Sequence, residues 1–271
     1  MRNIIIATIA ILLSTGCTEK AGQIVILHTN DTHSHILPEK NGDGGVLNRA
    51  QQIEDIRDSL KAENTLLLDC GDFSQGSLFY NVFRGEFEID IMNEMHYDAG
   101  TLGNHEFDMG MTNLAKLIRK AKFPILCANY IFDDTPCEGL VKEYTIIERG
   151  GRKIGLFGLS PDPDGLVLKE NYEGVKFISP IEAAKKCVSH LKADGCDAII
   201  CLSHLGWKIS NKYNDERLAK ETEGIDIIIG GHSHDLFKEP ILYKNSAGQN
   251  VVMNQTGKYG RNLGFLSISF N

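Results

Sequence analysis

The sequence has little proline and no excess of basic residues. Only 7 of its 271 residues are Pro and 42% are hydrophobic, which excludes a disordered chain, a collagen and a coiled coil. Lys and Arg number 28 against 36 Asp and Glu, so the net charge is −8 and no basic surface is available for the phosphates of a nucleic-acid polymer. The composition indicates a folded globular protein of one or two domains.

Long hydrophobic runs are also missing. The apolar run at residues 4–13 is shorter than the roughly 20 residues that span a bilayer, and small residues at 14–16 precede Cys17, as at the cleavage site of a bacterial lipoprotein. We predict a signal peptide over residues 1–16, lipidation of Cys17 and a short tether over residues 17–23. The protein would then be exported to the bacterial cell envelope, in the periplasm or at the outer membrane, and be held there by its N-terminal lipid only. Ordinary secretion is the alternative.

The cysteines other than Cys17 form an even set of six, which an oxidising compartment would allow to pair. Cys70 and Cys201 lie at the ends of apolar runs, which favours buried thiols. Cys187 and Cys196 are the pair that we expect to form a disulfide if any does.

Short apolar runs alternate with longer stretches of helical periodicity, which indicates an α/β fold. A single domain is predicted over residues 24–271. The predicted strands are 24–28, 65–69, 99–102, 124–128, 144–148, 153–158, 198–203, 225–229, 251–254 and 263–269. The predicted helices are 47–61, 88–95, 113–121 and 180–193, and the last begins with Ser179 as its cap and Pro180 at its first position.

Polar clusters follow five of these apolar runs. They are Asp31 with His33, Asp72, Asn104 with His105, His204, and His232 with His234. Ligands of open α/β sheets bind outside the carboxyl ends of the strands, so the fold would bring all five clusters to one rim. Carboxylate, imidazole and amide groups without cysteine suit Zn, Mn, Fe or Co in a site that is not a structural zinc site.

Two of these clusters are more specific than the others. The string GNHEFD at residues 103–108 places polar groups where packing does not require them, and the string GGHSH at residues 230–234 combines two imidazoles with glycines that permit close backbone approach. Each remaining cluster alone is typical of a turn or a structural histidine. Their occurrence in this order makes the combined signal strong.

These strings, together with ILHTNDTH at residues 26–33 and GDF at residues 71–73, resemble the calcineurin-like metallophosphoesterases. Among them, the chain is most similar to the N-terminal catalytic domain of the bacterial and animal 5′-nucleotidases, a family that includes UDP-sugar hydrolases and 2′,3′-cyclic phosphodiesterases. The resemblance implies an α-β-β-α sandwich of two mixed β-sheets flanked by helices. It also implies two divalent metal ions, of Zn, Mn, Co, Fe or Mg.

The resemblance further implies a role for each polar residue. One ion would be held by Asp31, His33, Asp72 and His234. The second would be held by Asp72, Asn104, His204 and His232, with the Asp72 carboxylate as the bridge. His105 would be the catalytic histidine, oriented by Asp108, and Asn104 and His105 would contact the substrate.

The implied reaction is release of phosphate from nucleotides or related phosphate esters by metal-activated hydroxide. Alternatives on the same scaffold are hydrolysis of a cyclic nucleotide, a UDP-sugar or a sulfur ester. A non-catalytic envelope subunit is a third reading. The complete ligand set with His105 and Asp108 favours an enzyme, because a binding subunit has no need of every catalytic group.

We expect this chain to lack the C-terminal nucleotide-binding domain of the family, and no side chain in the sequence indicates a binding site for a base. Trp207 is expected to pack against the sheet. We therefore expect either a broad phosphatase or a catalytic domain that works with a separately encoded nucleotide-binding domain. His28, His35, His96 and His190 are expected to be structural or solvated, and Arg149 and Arg152 to flank a hairpin turn.

Overall fold

A computed structural model of the chain describes residues 5–6 and 23–270. Two six-stranded β-sheets pack face to face, and helices cover the outer face of each, so the predicted α-β-β-α sandwich is confirmed. Cys17 and nearly all of the predicted signal peptide and tether lie outside the described residues. Among the described helices, none is long and apolar enough to cross a membrane.

The first sheet has the order β1-β14-β2-β3-β4-β5. Its strands are β1 (Ile5–Ile6), β2 (Gln23–Thr29), β3 (Thr65–Asp69), β4 (Ala99–Thr101), β5 (Ile125–Leu126) and β14 (Gly264–Ser269). Strands β2 to β5 are parallel, and β14 is antiparallel to both of its neighbours. The carboxyl ends of β2, β3 and β4 therefore lie at one edge.

The second sheet has the order β12-β13-β11-β10-β8-β7. Its strands are β7 (Tyr144–Arg149), β8 (Arg152–Leu159), β10 (Ala198–Ser203), β11 (Ile227–Ile229), β12 (Ile241–Lys244) and β13 (Asn250–Asn254). The four central strands are parallel and the two outer strands antiparallel. A two-stranded ribbon, β6 (Tyr130–Ile131) with β9 (Lys176–Phe177), completes the strands described.

The alternation of side chains along β2 shows how the sequence builds three apolar layers. Ile24 and Ile26 point between the two sheets, whereas Val25 and Leu27 point to the helices that cover the first sheet. Successive side chains of a strand face opposite sides, so a strand that is apolar throughout must be covered on both faces. The apolar runs that looked continuous in the sequence are central strands for this reason.

The helices cover the outer faces of the sheets. They are α1 (Val46–Leu60), α2 (Leu78–Phe83), α3 (Glu86–Glu94), α4 (Gly110–Lys120), α5 (Pro180–Ala193) and α6 (Asp215–Glu221). Short 3₁₀ turns occupy Ala62–Asn64, His105–Phe107 and Lys169–Tyr172. The predicted start of α5 is confirmed, because Pro180 is its first residue and Ser179 Oγ accepts a hydrogen bond from the Glu182 amide at 3.4 Å.

Several local predictions can be compared with these elements. The hairpin between Arg149 and Arg152 is confirmed, with Gly150 and Gly151 at positive φ. The disulfide expected of Cys187 and Cys196 is wrong: Cys187 is a buried thiol, and no bond joins the two sulfurs. Helices α2 and α6 were missed because fewer than two and a half turns give little periodicity.

His28 in β2 is a buried histidine packed against the neighbouring strand β14. Its ring is fully buried, neither ring nitrogen has a hydrogen-bond partner among the described residues, and it lies over the strand position of Gly264. Burial lowers the pKa of His28 to about 3 because nothing there stabilises the charged imidazole. The predicted structural role of this histidine agrees with that environment.

We expect His28 to make the fold sensitive to acid. A histidine whose pKa is lower in the folded state contributes stability that is present above its unfolded pKa of 6.5 and is lost as the pH falls toward 3. Between pH 7.5 and pH 5 the free energy of unfolding should fall by about 2 kcal/mol more in the wild type than in His28→Phe. Denaturant titrations of both proteins at the two pH values measure this difference, and parallel pH profiles would contradict it.

Candidate active site

The predicted ligand residues all follow parallel strands at one rim of the sandwich. Asp31 and His33 follow the end of β2, and Asp72 follows the end of β3. The remaining candidates follow β4, β10 and β11; they are Asn104, His105, His204, His232 and His234. The sandwich brings the ends of these strands together, so residues that are far apart in the chain become neighbours.

The rim contains three overlapping groups of ligand atoms, in each of which the atoms lie within 4.8 Å of one another. They are Asp31 with His33 and His234; His33 with Asp72 and His105; and Asp72 with His204 and His232. Asp72 belongs to two of the groups. Its carboxylate therefore lies between two sets of imidazoles.

The first set is centred on the buried carboxylate of Asp31. Asp31 Oδ1 lies 3.8 Å from His33 Nε2 and 3.3 Å from His234 Nε2, and the two imidazole nitrogens are 3.1 Å apart. Asp31 also accepts hydrogen bonds from the His232 amide and from Asn30 Nδ2. These bonds hold one carboxylate oxygen toward both imidazoles.

The second set is centred on His204, which is fully buried. Its Nδ1 lies 2.6 Å from the Cys70 carbonyl oxygen, which can only accept, so Nδ1 carries a proton and Nε2 faces Asp72 Oδ2 at 3.0 Å. Burial disfavours the charged imidazole, but the carboxylates of Asp72 and Asp31 outweigh it and raise the pKa of His204 to about 10. A cation binds the neutral imidazole, so binding of a cation at His204 Nε2 would release a proton.

Two other imidazoles at the rim are neutral at physiological pH. Burial lowers the pKa of His33, and it lowers the pKa of His232 to about 4. A neutral imidazole offers a nitrogen lone pair, which is the form that binds metal ions. The electrostatics of the rim therefore leave these donors ready for a cation at neutral pH.

Asn104 supplies the test of whether these residues fit a metal ion. Its Oδ1 is buried and has no hydrogen-bond partner among the described residues. A buried amide oxygen without a partner costs roughly 1–3 kcal/mol, so a native structure that retains one calls for an explanation such as an ion. Together with the imidazoles and carboxylates beside it, this oxygen completes a donor set that fits divalent cations.

The backbone that carries these side chains is unusual. Five of the seven predicted ligands have φ between 45° and 68°; they are Asp31, His33, Asp72, His232 and His234. Left-handed backbone at residues other than glycine costs energy and is concentrated at functional sites. Backbone hydrogen bonds from Asp31 to Gly71 at 2.9 Å and from His33 to Asp72 at 3.0 Å hold two of these turns against each other.

Glycines allow the turns to pack this closely. A Cβ at Gly103 would lie 2.1 Å from Asp72 Oδ1, and a Cβ at Gly231 would lie 2.8 Å from His204 Nδ1 and 2.9 Å from the Cys70 carbonyl oxygen. Any larger residue would displace one of the predicted ligands. The close approach expected of the GGHSH string is therefore present at Gly231.

His105 lies at the centre of the rim and is partly exposed. Its Nδ1 is 2.9 Å from Asp108 Oδ2, and its amide donates to Asp72 Oδ1 at 2.9 Å. Burial lowers the pKa of His105, but the hydrogen bond to Asp108 and the nearby carboxylates raise it above the ordinary value. With Nδ1 engaged by Asp108, Nε2 is available to a bound molecule.

Glu106 has a structural part in the site that the sequence analysis missed. Its buried carboxylate accepts hydrogen bonds from the amides of Asp72 at 2.9 Å, Gly103 at 2.7 Å and Ser74 at 3.1 Å. It thereby joins the turn after β3 to the turn after β4. The only sequence signal for Glu106 was its place in the GNHEFD string. A glutamate is usually exposed to solvent, so its type did not indicate burial.

His35 and Trp207 agree with the roles expected of them. The His35 ring stacks on Tyr259 at 3.8 Å, and Tyr259 in turn contacts the edge of His33 at 5.9 Å. Trp207 packs on Phe237 at 4.8 Å and donates a hydrogen bond from its indole nitrogen to the Tyr243 hydroxyl at 2.8 Å. Neither His35 nor Trp207 belongs to the groups of candidate metal ligands.

Groups of imidazole and carboxylate at the carboxyl ends of parallel strands, on an α-β-β-α sandwich, indicate a metal-dependent enzyme as the class of protein. Comparison with known proteins agrees with this class. The family model of the calcineurin-like phosphoesterases matches residues 24–236. The chain therefore belongs to the calcineurin-like phosphoesterases, which makes it a phosphoester hydrolase of a family that implies divalent metals.

Individual relatives narrow the comparison. The chain is 32% identical to the snake venom 5′-nucleotidase of Naja atra, over 92% of this chain and 50% of that protein. It resembles the structure of a 5′-nucleotidase precursor from Thermus thermophilus with a TM-score of 0.83 and 34% identity, over 92% of this chain and 52% of that one. The structure of a calcineurin-like phosphoesterase from Bacillus subtilis matches with a TM-score of 0.75 and 31% identity. The match covers 91% of this chain and 84% of that one. The chain spans about half the length of the curated relatives it matches.

Proposed function

We propose that this chain removes phosphate from nucleoside monophosphates and related phosphate esters with two divalent metal ions. The observation that carries the proposal is the position of Asp72, whose carboxylate is shared by two groups of imidazoles. A shared carboxylate offsets the repulsion between two adjacent cations. The similarity to 5′-nucleotidases supports nucleotides as the substrate class.

The proposed ligand sets extend two of the groups at the rim: Asp72 joins Asp31, His33 and His234 through its proximity to His33, and Asn104 joins Asp72, His204 and His232. Asp31, His33, Asp72 and His234 would hold one ion, and Asp72, Asn104, His204 and His232 the other. When bound, divalent ions would supply Lewis acidity toward phosphoryl oxygens and activate a water molecule at neutral pH. Elemental analysis of the purified protein would identify the ions as Zn, Mn, Co, Fe or Mg.

The chain's own groups would position and protonate the substrate. His105, held by Asp108, would place Nε2 near a phosphoryl oxygen, stabilise the charge that develops there and donate a proton to the leaving oxygen. Asn104 would bind the phosphoryl group beside it. Glu106 would hold the turn after β3 and the turn after β4 in place through its hydrogen bonds to their amides.

The test is an assay of purified protein against a panel of phosphate esters. We expect chelation to abolish activity and added Mn²⁺ or Zn²⁺ to restore it, with nucleoside monophosphates hydrolysed faster than cyclic nucleotides, UDP-sugars or sulfur esters. Faster hydrolysis of a cyclic nucleotide, a UDP-sugar or a sulfur ester would identify that compound class as the substrate instead. No turnover of any ester by metal-loaded protein would favour a binding subunit.

Two parts of the sequence interpretation stay predictions. Export agrees with similarity to a venom protein, whereas lipidation of Cys17 and a separately encoded nucleotide-binding domain have only the sequence in their support. Incorporation of a labelled fatty acid into the wild type but not into Cys17→Ala would test the anchor.

A further inference from the structure

A cavity of about 590 Å³ lies at the same rim as the predicted ligands. Its walls come from residues 161–179, which follow β8, and from residues 205–213, which follow β10. Pockets that bind small molecules are typically about 300–1,000 Å³ and occur at the carboxyl ends of parallel strands. Its volume and its place in the fold are therefore those of a ligand site.

The cavity is joined to the catalytic rim on both sides. Leu205 lines it and directly follows His204, so their Cα atoms are about 3.8 Å apart. Asn171 Nδ2, on the segment that forms the other wall, donates to the carbonyl oxygen of Asp108 at 2.9 Å. A molecule with its phosphate at the predicted ligands has this cavity beside it.

Aromatic rings form part of the wall. Phe177 and Tyr213 line the cavity with ring centroids 6.1 Å apart and planes inclined by 57°. Phe177 packs against Tyr130 at 6.2 Å, and Tyr130 packs against Phe107 at 5.7 Å, so the wall rests on the buried ring next to Asp108. Because the two planes are inclined, a planar heterocycle can stack on one of these rings while the other ring supports it.

Two of the three charged residues that line the cavity are acidic. Asp162 and Asp164 lie at the cavity, with the Asp164 amide donating to Asp162 Oδ1 at 3.1 Å, and Ser179 adds a hydroxyl. Carboxylates accept hydrogen bonds from the hydroxyl groups of a sugar and repel further phosphate groups. Lys212, whose ammonium lies 5.0 Å from the Tyr213 ring centroid, is the one cation among the residues that line it.

We propose that this cavity binds the nucleoside part of a nucleoside monophosphate while the phosphate lies at the metal ligands; this inference rests on the proposed function. The heterocycle stacks on the Tyr213 ring, which packs against Phe177, and the sugar hydroxyls bond to Asp162 and Asp164. Nucleoside di- and triphosphates are selected against, because hydrolysis at their terminal phosphate would place the remaining phosphates beside the two carboxylates.

The experiment compares variants of Tyr213 on two esters, a purine nucleoside monophosphate and glycerol phosphate, with metal-loaded protein. Tyr213→Ala should lower kcat/KM for the nucleotide roughly tenfold, mainly through KM, as loss of one base-stacking ring does. Glycerol phosphate has no base, so its kcat/KM should change less than about twofold, which also shows that the variant is folded. Tyr213→Phe keeps the ring and is the matched control that should behave as wild type.

The outcomes separate this inference from the proposed function. If the wild type hydrolyses neither ester, the proposed function fails. If both are hydrolysed and Tyr213→Ala leaves the ratio of the two kcat/KM values unchanged, the cavity is not the nucleoside site. The double variant Asp162→Asn with Asp164→Asn should raise kcat/KM for a nucleoside triphosphate relative to the monophosphate by about fivefold. An unchanged ratio there would refute selection by charge.

Discussion

Asp72→Asn is expected to remove metal from the whole site, because the carboxylate that it neutralises lies close to His33 on one side and to His204 and His232 on the other. The amide that replaces it has nearly the same shape but carries no charge, so repulsion between two cations would no longer be offset. Metal content per chain should fall below half of the wild-type value at equal free metal. The loss in kcat/KM should exceed the ~100-fold upper range typical of residues that only support a ligand.

Asp69→Asn is the matched control for that variant. Asp69 is also buried at the end of β3, but its carboxylate accepts hydrogen bonds from Thr29 Oγ1 at 2.6 Å and the Gly71 amide at 2.9 Å and is in none of the ligand groups. Burial raises the pKa of Asp69 to about 7, so replacing it with a neutral amide changes the charge near neutral pH less than the same replacement at an ordinary carboxylate. This variant should retain its metal. Full metal occupancy in Asp72→Asn, measured by elemental analysis of dialysed protein, would contradict the shared-ligand arrangement.

The layers of the sandwich could be predicted because they rest on local patterns. Strand β2 is apolar at every position from Ile24 to Leu27, which predicts burial on both faces. Ser179 and Pro180 fix the start of α5 through a cap and a preset φ. Strand β12 was missed because its side chains alternate between half-buried and exposed at the sheet edge, where burial gives a weaker sequence signal.

The candidate site could be predicted only in part, because some of its features leave no local pattern in the sequence. Residue types and their order after apolar runs indicated which side chains meet at the rim. The left-handed backbone at His33 and His234 gave no sequence signal, because histidine adopts that conformation far less readily than glycine does. Phe177 lies in β9 and Tyr213 lies between β10 and α6, so their rings are far apart in the sequence and meet only in the fold, and no sequence pattern indicated the proposed base-binding site.

His105→Asn is expected to lower kcat by ~10² to 10⁴ and to leave the metal content unchanged, because a proton donor contributes to the rate and holds no ion. His105 lies in a group of ligand atoms with His33 and Asp72, so metal analysis of this variant decides between the two roles. His105 Nδ1 is engaged by Asp108, and its contact with the Asp72 carboxylate is made by the backbone amide, which asparagine retains. The measurement is kcat and KM with parallel metal analysis, and loss of metal together with rate would show that His105 is a ligand.

Asp108→Asn should act in the same direction but less strongly, by about tenfold, since Asp108 orients the imidazole and raises its pKa without touching the phosphoryl group. The matched control is His190→Asn on the exposed side of α5, which should leave kcat unchanged. If His105 is the proton donor, adding Asp108→Asn to His105→Asn should cost almost nothing more, because the aspartate then has no imidazole to orient. A double variant whose losses simply multiply would mean that the two residues act on the reaction independently.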